Sequence, residues 1–384
     1  MKIKLLSIAL LAACFNLHAQ EVANKKDGHF KFTILKNLDK TEVDNQNRTS
    51  TCWSFSSLSF FESELLRMGK GKVNLSEMFV VRKSYEEKAD IYVRMHGNHS
   101  FAPGGAFHDA INVWKRYGMM PQSTYAGLNY GEQKHNHAEL DEMLTDMVKT
   151  VVKAPGGRIS TSWKEAMNGV LDAYLGKVPQ TVDVNGKKMN PAAYAQSLGL
   201  NPDDYVMLSS FTHHPAYSRF VLEVPDNWAM GEVYNLPLNE FAETMDHAIN
   251  SGYSIAWGAD VSEKGFAWKN GVAVVPEKKF DDLTKAEADS LTSWPVKQLA
   301  ITPEMRQLAF DNYETQDDHG MHITGIAKDQ DGTKYYIVKN SWGTKSNDCD
   351  GFMYASESYV LYKTTCIMVH KNALPKAVAK KLGL

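Results

Sequence analysis

Apolar positions along the chain keep a helical rhythm first and a strand rhythm later. Phe55, Leu58, Phe61 and Leu65 recur at three- and four-residue spacing, which predicts a helix over Cys52–Met68 ended by Gly69. A second helix is predicted over Leu75–Met95 with Ser76 as its N-cap. Pro103–Gly118 reads as a turn followed by a third helix, so the block behind a polar leader at 20–45 is mainly helical. The middle is mixed. Ala138–Val152 and Ser160–Leu175 have amphipathic patterns, and Val182–Val184 reads as a strand entering an Asn-Gly turn. Asn190-Pro191 supplies a cap and a first-turn proline for a short helix to Leu198, and Leu238–Ser251 is another helix. From Tyr253 the pattern turns to strands: YSIAWGADV, HITGIAKDQDGTKYYIVKNSW with a turn at Asp331-Gly332, GFMYA and TTCIMVH. The expected class is α+β: a helical lobe, a mixed insertion at about 135–240, and a β-rich lobe.

Composition narrows this. The 384 residues suffice for one large or two medium domains. A net charge of −3 gives no basic surface for nucleic acid or an anionic membrane. Lys2 and Lys4 precede an apolar run, Leu5–Phe15, that is too short to span a bilayer. Residues 1–19 therefore read as a signal peptide cut after Ala19, which implies an exported, periplasmic or secreted protein without a transmembrane helix. The alternative is a lipid anchor on Cys14 within Leu11-Ala12-Ala13-Cys14. Cleavage leaves Cys52, Cys349 and Cys366, an odd number; the last two are near enough in sequence to pair. No CxxC is present, and no cofactor is called for. His135-x-His137 and His213-His214 lack carboxylates at helical spacing, so they read as surface or loop histidines and no metal is expected.

The chemistry centres on Cys52. A helix N-terminus favours a thiolate through its free N–H groups and dipole, and a neighbouring imidazolium favours it further. His319 and Asn340 flank a predicted strand pair that would set them side by side, the amide oxygen holding one ring nitrogen and leaving the other to face the thiol. Trp342 would cover that bond. Gln46 and the Cys52 N–H would donate to a developing oxyanion. His322 falls on the opposite strand face and reads as packing, while Asp318 would tune His319 electrostatically.

The segments QNRTSTCWSF, DHGMHITGI and IVKNSWGT resemble, in order, the three active-site segments of papain-like cysteine peptidases. His319 follows Cys52 by 267 positions, where simple papain-type chains need roughly 130–150. That surplus is similar to the bleomycin hydrolase and aminopeptidase C branch, and the likeness extends over roughly residues 35–375. It implies a papain-like two-lobe fold over 46–375 with a large insertion between Cys and His. It also implies peptide substrates, catalytic Cys52, His319, Asn340 and Gln46, and substrate contacts at Gly104, Gly105 and Trp342. Members of the branch are typically cytosolic hexamers, which makes a homo-oligomer an expectation. Their C-terminal carboxylate receives the substrate amine, a role that would fall to Leu384 in the tail 376–384. Two departures stand out: Ser50-Thr51 replaces the branch's Gly-Arg before the cysteine, and the tail lacks the usual Trp-Asp-Pro segment. Only about thirty residues separate Ala19 from Cys52, too few for a folded inhibitory pro-domain. The expected function is an exported thiol aminopeptidase. Endopeptidase or dipeptidyl peptidase action on the same site and a non-catalytic peptide-binding protein are the alternatives.

Overall fold

Burial on every side distinguishes the helix that begins at the cysteine. In α1 (Cys52–Arg67) all residues from Trp53 to Leu65 are buried, although the sequence reads as amphipathic. Its polar residues find partners instead of water. Ser56 and Ser57 donate to the Cys52 and Trp53 carbonyls at 2.8 and 2.7 Å, and the Glu62 carboxylate accepts from Thr41 Oγ1 at 2.6 Å and the Leu75 N–H at 2.8 Å. The surrounding layer contains α2 (Glu77–Arg94), whose N-cap Ser76 accepts from the Phe79 N–H, and α3 (Phe107–Tyr117). It continues with α4 (Ala138–Val152), α5 (Ser162–Leu175) and α6 (Pro191–Leu198), the last capped by Asn190 as expected.

The computed structural model describes residues 21–384 apart from 185 and 279. The expected signal peptide, its cleavage after Ala19 and the Cys14 alternative lie outside the described residues. The stretch read as a polar leader is part of the sheet. There β1 (Glu21–Ala23) pairs with β2 (Lys31–Asn37), and β2 runs antiparallel to a strand near the other end of the chain, with Asn37 opposite Gly325. Phe30 and Phe32 explain the difference: both are fully buried, Phe32 stacking on Tyr354 at 3.7 Å. Lys31 between them and the polar residues upstream hide that apolar face in the sequence.

A hairpin of β3 (Val182–Val184) and β4 (Lys187–Met189) stands apart. Next come β5 (Tyr205–Ser209), β6 (Arg219–Val221) and β7 (Glu232–Asn235), which join the main sheet although they lie inside the predicted insertion. After α7 (Leu238–Asn250) follow β8 (Ile255–Ala259), β9 (Phe266–Ala267), β10 (Val272–Ala273), α8 (Lys285–Leu291) and α9 (Pro303–Asp311). The chain closes with β11 (His319–Lys328), β12 (Lys334–Lys339), β13 (Phe352–Ser356), α10 (Glu357–Lys363), β14 (Thr364–His370) and α11 (Lys376–Leu382). The sheet order is β6-β7-β5-β14-β8-β11-β12-β13-β10-β9, with β2 also on β11. This is a papain-like α+β fold in which α1 lies against β11.

Candidate active site

The first turn of α1 and the start of β11 meet at Gly320. A methyl group there would stand 2.6 Å from Ser56 Oγ and 3.3 Å from the Cys52 carbonyl oxygen, so only glycine lets the strand approach the helix this closely. Gly320→Ala is therefore expected to push His319 away from Cys52 and lower kcat/KM at least about tenfold, with an overpacking cost of roughly 1–3 kcal/mol. Adding Ser56→Gly removes the nearest clashing atom and should restore part of the rate. Equal rates for wild type and Gly320→Ala would refute the packing argument.

His319 is buried, and its Nε2 donates to Asn340 Oδ1 at 2.7 Å. The same oxygen accepts from the Ser341 N–H at 2.7 Å, which fixes the amide orientation. Nε2 must then carry the proton in the neutral ring, and Nδ1 is the nitrogen able to take one. Trp342 stacks on the ring with centroids 4.7 Å apart and shields this bond. Gln46 is held from the same strand end: its N–H donates to the Ser341 carbonyl at 2.8 Å, and its Oε1 accepts from Ser341 Oγ at 2.6 Å. With the oxygen engaged, the Gln46 amide nitrogen is the group left to donate. Thr51 makes no side-chain cap to α1, so the Cys52 N–H is a first-turn donor without a helical acceptor. Ser50 has φ 52°, the left-handed conformation that accounts for glycine at this place in the resembling branch.

Cys52 and His319 line one cleft with Trp53, Gly105, Asp226, Asp317 and Asp318. The electrostatics there differ from the helix-terminus expectation. Burial pushes the Cys52 thiol up to about 12; the Gly320 N–H opposes this, and Asp317 and Asp226 add to it. Burial likewise pushes His319 down to about 4, against the Asn340 bond and the Asp318 charge. Burial thus disfavours the charged form of both groups. Burial, then repulsion from Asp226, raises Asp317 to about 7, and burial also raises Asp226.

Gly104 and Gly105 sit in a loop fixed by two buried donors. Trp53 Nε1 donates to the Pro103 carbonyl at 3.0 Å, and Lys88 Nζ donates to the Ala102 carbonyl at 2.8 Å and to that of Gly104. The Asp226 carboxylate packs directly on Gly104, where a methyl group would collide with it. Lys88, Asp226 and Asp317 carry no local sequence signal that would have singled them out, whereas Ser341 lies within the IVKNSWGT segment.

Leu384 is not brought to this cleft. Val378 and Leu382 of α11 are buried in the core beside α7, and Lys381 Nζ bonds Glu240 Oε1 at 2.6 Å. The tail is committed to that packing, and Leu384 is absent from the residues lining the cleft. His322 accepts the packing role expected of it, its Nδ1 2.9 Å from Ser59 Oγ. His137 differs from expectation: it is fully buried and pushed down to about 3 by that burial. Cys52, Cys349 and Cys366 are all free thiols.

Residues 184–383 match the family model described as Peptidase C1-like family, and residues 33–196 match that of the Papain family cysteine protease. The chain is 23% identical to Aminopeptidase G of Lactobacillus delbrueckii subsp. lactis, covering 88% of this chain and 83% of that one. Aminopeptidase C of Streptococcus thermophilus is 23% identical, with 91% and 84% covered. Aminopeptidase W of L. delbrueckii subsp. lactis is 24% identical, with 96% and 88% covered. The crystal structure of PepW from Lactobacillus rhamnosis superposes with a TM-score of 0.70 at 20% identity, over 91% of this chain and 84% of that one.

Proposed function

Because the chain belongs to the Peptidase C1-like family and is a cysteine-type peptidase, we propose that it is an aminopeptidase whose substrate amine is received by cleft carboxylates. In the proposed reaction Cys52 Sγ attacks the scissile carbonyl carbon while His319 Nδ1 takes the thiol proton. The oxyanion accepts from the Gln46 amide and the Cys52 N–H. The tetrahedral intermediate collapses with cleavage of the C–N bond, and His319 delivers its proton to the leaving amine. Water, deprotonated by His319, then hydrolyses the thioester and regenerates the thiol.

The observation that carries the aminopeptidase reading is the Asp226 carboxylate lying on Gly104. A peptide backbone extended along Gly104–Gly105 meets this carboxylate, which obstructs a longer chain and pairs with an ammonium. Relatives named aminopeptidase C, G and W support the same reading. Export remains part of the proposal, resting on the pattern of residues 1–19.

Hydrolysis of paired peptides, free and acetylated at the N-terminus, tests it with reductant present. Free peptides should be cleaved and acetylated ones spared, and deletion of Leu384 should leave that preference unchanged. Equal cleavage of both peptides would make the protein an endopeptidase. Loss of the preference on deleting Leu384 would return the amine-binding role to the tail.

A further inference from the structure

We infer that His213, His214 and Glu223 form a binding site for a divalent transition-metal ion, separate from the peptidase chemistry. The histidines follow β5 and the glutamate follows β6, so adjoining turns of the sheet edge bring together three ligands that are not at helical spacing. His213 Nε2 lies 3.2 Å from Glu223 Oε2, and His214 Nε2 lies 2.9 Å from Glu223 Oε1. One donor atom from each residue falls within 4.8 Å of the others. Ligands bound tetrahedrally at 2.0–2.1 Å stand about 3.3 Å apart, which is close to these separations.

The hydrogen bonds around His213 suit a metal ligand. Gln307 Oε1 accepts from the Thr212 N–H at 2.7 Å and the His213 N–H at 3.3 Å, while Gln307 Nε2 donates to Asp311 at 2.8 Å. The amide orientation is thereby fixed, and His213 Nδ1, 3.1 Å from that oxygen, must be the protonated nitrogen. In the neutral ring the Nε2 lone pair then faces a carboxylate oxygen, acceptor against acceptor. His214 Nε2 faces the other oxygen of the same carboxylate, so both imidazoles converge on Glu223. A single dication satisfies both nitrogens and the carboxylate together. An outer partner that fixes the tautomer of a ligating histidine is a regular part of metal sites. The rings are also held in place, His214 stacking on Phe220 at 4.2 Å and His213 on Phe310 at 5.9 Å.

Imidazole with one carboxylate suits zinc, nickel, cobalt or copper better than magnesium or calcium. Glu223 lies between Leu222 and Val224, both of which line the peptidase cleft. An ion here would tie that wall of the cleft to the outer edge of the sheet.

Competition of zinc against a chromophoric chelator, together with the d–d spectrum of bound cobalt, tests the site. The titration is made in full-length Cys52→Ala protein, which removes a competing thiol. One tight equivalent is expected. Gln307→Ala should weaken it roughly 10–100-fold, and His214→Ala and Glu223→Gln should weaken it further. Glu223→Gln is isosteric and serves if His214→Ala fails to fold. Absence of a tight equivalent overturns the inference, as does an equivalent unchanged in folded Glu223→Gln. The binding readout does not depend on turnover, so failure of the peptidase reading and failure of the metal site are distinguishable.

Discussion

Cys52→Ala protein is expected to fold like the wild type and to lose hydrolysis by roughly 10⁴-fold or more in kcat. The fold should tolerate the change because Cys52 sits at the very start of α1, whose packed core begins with Trp53. The rate should not, because His319 can deliver a proton but no other group lining the cleft replaces the sulfur. Cys366, which also lines it, is buried and pushed up by burial, and its Sγ packs 3.5 Å from the position of a Cβ on Gly258. Thermal unfolding and peptide hydrolysis, measured on the same samples, check both halves. Hydrolysis within tenfold of wild type would exclude Cys52 as the nucleophile. A wild-type protein that cleaves nothing and does not react with thiol-directed electrophiles would be a peptide-binding member of the family.

Asp226→Asn is expected to abolish discrimination between free and acetylated peptides. Removing one partner of a buried charge pair costs about 2–5 kcal/mol, or roughly 30- to several-thousand-fold in kcat/KM for free peptides. Acetylated peptides should change little, because they bring no charge to the carboxylate. Wild-type pH dependence checks the same point. Asp317 is raised to about 7 and Asp226 is raised as well, so both gain charge as pH rises and lose it as pH falls. The preference for free amines should therefore grow as pH rises and fade in acid. Unchanged discrimination by Asp226→Asn would place the amine-binding group elsewhere.

The parts of the site that sequence reveals are those built locally. Cys52 is recognisable because a helix pattern starts on it, and His319 and Asn340 because a turn folds their strands together. Caps such as Ser76 and Asn190 set helix starts by contacts three residues away, which a sequence displays directly. What could not be read depends on distant chain. Phe30 and Phe32 read as part of a leader because the surface they pack on, Tyr335 and Tyr354, lies near the other end of the chain. Asp226 acquires meaning only beside Gly104, and Glu223 only beside two histidines on another turn. Resemblance points to Leu384, but buried Val378 and Leu382 hold the tail against α7.

The sheet that assembles the site also sets when activity can arise. His319 opens the strand that pairs with β2, nearly the whole described chain earlier, and β2 can be paired only after β11 has been made. Contacts of such high sequence separation form late and slowly. Gln46 depends on Ser341 and Cys52 on Gly320, so nucleophile, base and oxyanion donor all await that closure. A partly folded chain in which β11 is unpaired therefore holds no complete site. Catalytic competence is thus a late product of folding order, set by the topology of the sheet.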